Sequence, residues 1–240
     1  MWHVQALETA REGRLEDAER DSRRAIEMAR GAGLTERAAV FEAAQAVWNA
    51  FYGNRDNARQ KGEAALKAFD GREVEYAAGF ALGLAGEGAR AEALAAKLNN
   101  DHPEDTQVQS TYVPTLRALA ALARNDAPKA IDLLDVNRRY ELGIPPLAFV
   151  HFYGNMYPVY VRGLAYLAMH RDQDAAGEFR RLLAQRGPVA GDPVDAAARR
   201  QLARATKAQS AYSDILTLWT KADPELPILK ETRAESTRSQ

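Results

Sequence analysis

Apolar residues in the segment 157–187 recur at steps of three and four, which is the period of an amphipathic helix. Gly163 lies on the first apolar face, and the polar run 170–174 interrupts the pattern. A second apolar face, which includes Phe179, follows and ends at Gly187 and the proline after it. The segment therefore predicts two antiparallel helices that form a hairpin.

A glycine in the middle of a helix costs about 1 kcal/mol relative to alanine. For Gly163 the predicted compensation is a close approach of the second helix, which a side chain would block. A turn residue follows seven positions later, and an alanine follows five positions after that. The same offsets recur in four other segments, with predicted turns at Gly13, Gly53, Gly86 and Asn125, in addition to the turn at His170 in this one.

The pattern predicts an all-α chain, residues 1–240, that forms a single array of about six hairpins. The sixth hairpin departs from the spacing, because only Thr206 and Lys207 separate its two helical patterns. A loop absent from this sequence is favoured there over two fused helices. An extra turn is expected at 147–154 and a C-terminal capping helix at 226–237. The hairpins are expected at 2–31, 35–69, 72–100, 106–142, 157–187 and 193–220.

The offsets resemble the tetratricopeptide repeat, a helix-turn-helix unit of about 34 residues. This resemblance implies a superhelical array in which stacked hairpins form an extended concave surface lined by the first helix of each unit. An alanine-rich helical bundle imitates part of the same pattern and stays the structural alternative.

The last hundred residues carry a narrower resemblance, and the first hundred match only as generic repeats. The last hundred residues resemble the C-terminal array of bacterial, especially acidobacterial, proteins in which a serine/threonine kinase or winged-helix domain precedes the repeats. That resemblance implies a sensor or docking module. The chain itself lacks a glycine-rich phosphate loop, and HRD at 170–172 lacks the asparagine of a kinase catalytic loop. The matching segments are YELGIPP (140–146), MYPVYVRGLAYLA (156–168), GEFRRLLAQRG (177–187) and AYSDILTLWTKADPELPILKETRAE (211–235).

Composition narrows the classes of function. Lysine and arginine number 32 against 33 acidic residues, so the net charge of −1 gives no strong attraction to nucleic acid. No apolar run is long enough to span a membrane, no signal peptide is visible, and cysteine is absent. We expect a fragment of a longer protein that is cytoplasmic, or extracytoplasmic if it belongs to a membrane-spanning kinase.

Catalytic or metal-binding residues are not predicted. The histidines fall in separate units without HExxH spacing, and acidic clusters lie at turns and helix starts, where carboxylates favour the helix dipole. We therefore expect no enzyme activity and no cofactor. The histidines are His3, His102, His151 and His170.

The expected function is non-catalytic binding of a protein or peptide on the concave face. Tyrosines there offer apolar area together with a hydroxyl, and arginines can hold a carboxylate in a forked pair. About half of these positions are expected to pack against the next repeat instead. The alternative function is a small-molecule-sensing domain with a closed pocket between repeats; an α-helical enzyme would need converging acids and bases. The predicted partner-binding residues are Val47, Tyr76, Phe80, Tyr112, Thr115, Arg117, Tyr157, Tyr160 and Arg162.

Overall fold

A computed structural model describes residues 2–143, 156–185 and 191–238. All regular structure in these ranges is helical, which confirms the predicted all-α class. A π-helical turn at Val108–Tyr112 precedes the α-helix that begins at Val113, and a 3-10 helix at Asp135–Arg139 follows the α-helix that ends at Leu134. The α-helices of the described residues are α1 Trp2–Arg11, α2 Leu15–Gly31, α3 Thr35–Phe51, α4 Arg55–Ala68, α5 Arg72–Leu84, α6 Gly88–Asp101, α7 Val113–Ala123, α8 Ala127–Leu134, α9 Tyr157–Ala168, α10 Asp172–Ala184, α11 Pro193–Thr206, α12 Gln209–Leu218 and α13 Pro227–Arg238.

The turns inside the hairpins confirm the predicted turn positions. Each of the five residues follows the first helix of its hairpin and has a positive φ, from 57° at His170 to 97° at Gly86. Glycine adopts this conformation without cost and asparagine tolerates it. In each case the next residue donates its N–H to a carbonyl five positions earlier, as Arg14 does to Thr9. This Schellman arrangement satisfies carbonyls at the helix end.

The expectation that a loop is missing from the sixth hairpin was wrong. Lys207 has a φ of 53° and its N–H bonds to the carbonyl of Ala203 at 2.8 Å, so α11 ends and α12 begins two residues later. One left-handed residue reverses the chain without a glycine, which is why composition gave no turn signal. The extra turn expected at 147–154 and the helix stop expected at Gly187 lie outside the described residues.

The hairpins form two layers of helices. The inner layer contains α1, α3, α5, α7, α9 and α11, and the outer layer contains α2, α4, α6, α8, α10 and α12. Each outer helix from α2 to α10 contacts its own inner helix and the next inner helix along the chain. From α3 to α11, each inner helix also contacts the next inner helix. This regular packing follows from the apolar face that every helix carries.

The last hairpin meets the first. Helix α11 contacts both α1 and α3, so the inner layer closes on itself. The segment after α12 covers the first two turns: Asp223 N–H bonds to the carbonyl of Gly13 at 3.0 Å, and Ile228 N–H bonds to that of Tyr52 at 3.4 Å. Ile228 already belongs to α13, which lies at the place predicted for a capping helix. The concave side of the inner layer is therefore enclosed.

Gly163 has the role predicted for it. A Cβ atom at this position would lie 2.5 Å from Cε1 of Phe179 and 2.6 Å from its Cζ. Phe179 belongs to α10 and its side chain is fully buried. The absence of a side chain at Gly163 thus allows the ring of the second helix to rest directly on the first.

Candidate functional site

The predicted binding aromatics lie in the centre of the closed inner layer. Tyr76 stacks on Tyr112 with ring centroids 4.0 Å apart, and Phe80 stacks on Tyr157 at 4.4 Å. Phe51 of α3 meets Tyr157 and Tyr160 of α9 edge-on, at 5.4 and 5.2 Å. Because α3 and α9 belong to different parts of the layer, these contacts fill the space that an open array would leave for a partner.

The hydroxyl groups of these tyrosines have partners inside the chain. Tyr112 donates to a carboxylate oxygen of Glu73 at 2.5 Å, and Tyr157 donates to Asp192 at 3.2 Å. Burial is the main cause that raises the pKa of Tyr112 well above its ordinary value, and burial likewise raises the pKa of Glu73. The hydroxyls are therefore engaged in buried pairs.

The two predicted arginines differ. Arg162 is fully buried, and its Nη2 lies 2.7 Å from carboxylate oxygens of both Glu141 and Glu178. Arg117 is about one-third exposed and its Nε lies 3.4 Å from Glu92. Arg162 thus already holds two carboxylates, and only Arg117 reaches the surface.

The expected exposure of the predicted site is therefore corrected. Eight of the nine predicted residues are 3% exposed or less, because they pack inside an inner layer of helices that closes on itself. A partner would reach them only after helices separated. The eight buried residues are Val47, Tyr76, Phe80, Tyr112, Thr115, Tyr157, Tyr160 and Arg162.

Two open surface concavities lie on the first two hairpins. The outer groove, of about 350 Å³, runs between α2 and α4 over a floor formed by α3. Its floor residue Gln45 is 3% exposed, and Lys61 donates a hydrogen bond to the Gln45 Oε1 at 2.8 Å. The outer groove is lined by Arg23, Ile26, Glu27, Arg30, Glu42, Gln45, Gln60, Lys61 and Ala64.

A second concavity, the edge groove, lies at the start of α3 and measures about 360 Å³. Its apolar surface comes from Leu34, which is 44% exposed, and from the partly exposed Phe69, and the buried Val40 lies beneath. Arg37 is an exposed cation at its border. The two grooves are close along the chain, since Arg30 lines one and Gly33 the other. The edge groove is lined by Gly33, Leu34, Thr35, Glu36, Arg37, Val40 and Phe69.

An enclosed cavity bordered by Trp48, Tyr157 and Asp192 measures about 10 Å³, which is close to the minimum for one water molecule. No three His, Asp or Glu side chains within 2–143, 156–185 and 191–238 are grouped so that they could hold a metal ion. A search of the same ranges finds no helix with the length and apolar character that crossing a membrane requires.

Comparisons with protein-family models, with curated proteins and with solved structures find no match for this chain. The relation to tetratricopeptide arrays therefore stays a prediction that rests on the sequence offsets. The relation to kinase-associated proteins stays a prediction that rests on the four matching segments of the last hundred residues.

Sequence reasoning missed the outer groove and Gln45. A signal was present: Gln45 is a polar residue inside the apolar run AAQAVWNAF of α3. A polar residue on a buried face needs hydrogen-bond partners. That need sets Gln45 apart from its apolar neighbours, although the spacing alone does not show which helices surround it.

Proposed function

We propose that the chain is a non-catalytic protein-interaction module, a tetratricopeptide-like array that binds a protein or peptide partner. The binding surface in this proposal is the outer side of the first two hairpins, at the outer and edge grooves. It replaces the concave face that the sequence predicted, because that face is filled by the aromatic core.

The observation that carries the proposal is the pair of neighbouring open grooves on one part of the array. The edge groove offers apolar surface from Leu34 and Phe69, and the outer groove offers charged and amide side chains. An apolar anchor site beside polar groups is the combination that peptide recognition uses. A rigid helical core beneath both grooves would lower the entropic cost of binding.

The kinase-associated resemblance supports a place for this module in a larger bacterial signalling protein. In that family the repeats follow a kinase or DNA-binding domain, and the repeats serve as a sensor or docking region. The same role for this chain would use the first two hairpins to recruit a partner to a domain outside it.

A phage-displayed library of random twelve-residue peptides, selected against the whole chain, tests the proposal. Enriched peptides are expected to bind the native protein and to lose affinity for Leu34→Asp, which puts a charge on the apolar surface of the edge groove. Leu142→Asp is the matched control, because Leu142 is also exposed, at 63%, but lies in neither groove. The proposal fails if no peptide is enriched, or if enriched peptides bind Leu34→Asp as well as the native protein.

A further inference from the structure

The floor of the outer groove contains a hydrogen-bond donor without an acceptor. The Lys61 ammonium can only donate hydrogen bonds, so the Gln45 amide atom 2.8 Å from it must be the acceptor, Oε1. The other amide atom of Gln45 is therefore the donor, Nε2. That Nε2 is buried and has no hydrogen-bond partner. Buried donors without acceptors are uncommon and unfavourable, so an acceptor supplied by a ligand would be favoured here.

The charges at this end of the groove favour an anionic acceptor. Arg23 has a side chain that is 60% exposed, and its nearest carboxylate, Glu19, is 3.9 Å away. Glu19 already accepts from Asn49 at 3.0 Å and pairs with Lys61 at 3.2 Å. Arg23 is therefore a cation that a ligand carboxylate can engage more closely than Glu19 does.

The other charges of the groove limit where such a ligand lies. Arg30 is already paired with Glu42. Glu27 lies on α2 between Arg23 and Arg30 and would repel a second carboxylate placed beside it. One acidic ligand residue directed towards Gln45 and Arg23 uses the unpaired donor and the available cation, and it places no second carboxylate beside Glu27.

We propose that the outer groove binds a short acidic peptide segment, with one Asp or Glu carboxylate that accepts from the Gln45 Nε2 and pairs with Arg23. A volume of about 350 Å³ is at the small end of ligand sites, which suits a few residues rather than a whole helix. The exposed long side chains that share the groove change rotamer within nanoseconds and can admit the ligand to its floor. This inference rests on the proposed interaction function and names the partner's chemistry.

An array of immobilised pentapeptides tests the inference with the whole chain as the binding protein. The probes carry a central Glu or Asp, or, in otherwise identical peptides, a central Gln, Asn or Lys. The acidic probes are expected to bind at least about tenfold more tightly than their amide counterparts, because a charge-assisted hydrogen bond is stronger than a neutral one. The lysine probes should not bind.

Two variants locate the contact. Gln45→Glu keeps the size of the side chain and gives Lys61 an ion-pair partner, but it replaces the donor with an anion, so acidic probes should lose at least about tenfold in affinity. Arg23→Gln changes an exposed side chain and should weaken the same probes without affecting the fold. Arg24→Gln is the matched control, since Arg24 is the next residue on α2, is half-exposed and lies against Trp2 outside the groove.

The outcomes separate the two proposals. Equal binding of Glu and Gln probes by the native protein, or unchanged acidic binding by Gln45→Glu and Arg23→Gln, overturns the inference. If phage-selected peptides still bind the first two hairpins in that case, the interaction function stands with a different ligand chemistry. If neither the selected peptides nor the array probes bind, both proposals fail.

Discussion

Replacing Gly163 with alanine tests the packing of α9 on α10 with the smallest possible change. The new methyl group would lie 2.5, 2.6 and 3.1 Å from three carbon atoms of the Phe179 ring. Favourable carbon–carbon contacts lie near 3.5–4.0 Å, so the ring would have to move by about 1 Å. Phe179 is fully buried and its ring lies against Tyr160, with centroids 5.9 Å apart, so this shift would disturb the aromatic core.

Two terms decide the size of the effect. Adding a methylene-sized group to a packed core costs about 1–3 kcal/mol, and replacing a helix-interior glycine with alanine returns about 1 kcal/mol. We therefore expect Gly163→Ala to lower the free energy of unfolding by up to about 2 kcal/mol. Gly177→Ala is the matched control, because Gly177 lies on the exposed side of α10 and a Cβ there meets nothing within 4 Å. That variant should gain about 1 kcal/mol.

Urea denaturation followed by far-ultraviolet circular dichroism measures both variants against the native protein. The free energies of unfolding of the two variants should differ by about 1–3 kcal/mol, with Gly177→Ala the more stable. In a chain of this size that difference shifts the melting temperature by about 2–4 °C per kcal/mol. Equal stability of the two variants would refute the claim that Gly163 is needed for the contact with Phe179.

Two further predictions concern buried charges. Burial raises the pKa of Asp192 to about 6, against the partial opposition of its hydrogen bonds from Val194 N–H and Tyr157. The unfolded carboxyl ionises near pH 4 and the folded one near pH 6, so native stability should fall by up to about 3 kcal/mol as pH rises from 4 to 6 relative to Asp192→Asn. Parallel pH profiles of the two proteins in urea titrations would contradict this. Arg162→Met leaves Glu141 and Glu178 without this partner and should lower the free energy of unfolding by about 3–5 kcal/mol. Arg117→Met removes one side of a partly exposed pair and should lower it by less than about 1 kcal/mol. Similar melting temperatures for the two variants would contradict this distinction.

Local features of this fold were predictable because they depend on residues close in sequence. The turn positions were predicted from the small residue, turn residue and alanine at regular offsets. The close helix contact at Gly163 was predicted from the cost of a glycine inside a helix. The turn at Lys207 was missed because a lysine in the left-handed conformation has no compositional signal. Its conformation costs more than it would for glycine, and the packing of α11 and α12 compensates.

The exposure of the candidate site was not predictable from the same patterns. An inward tyrosine such as Tyr160 fits both an open binding face and a closed core, since it has apolar area and a hydroxyl. What decides between them is a contact between residues more than 200 positions apart, such as Asp223 with Gly13. Periodicity within a hairpin contains no information on such a pairing. The proposed binding surface therefore lies at the outer and edge grooves and not on the inner face.

Closure of the array is the central claim, and a distance between two spin labels tests it most directly. The chain has no cysteine, so Glu12→Cys and Lys221→Cys introduce the only two labelling sites, both at accessible positions. Each site is within two residues of the hydrogen bond between Gly13 and Asp223, which predicts a label separation below about 25 Å. Helices pack 8–10 Å apart, so an open stack of six hairpins would separate the labels by about 40 Å or more. A narrow short distance by double electron–electron resonance supports the closed layer, and a distance of about 40 Å or more would contradict it.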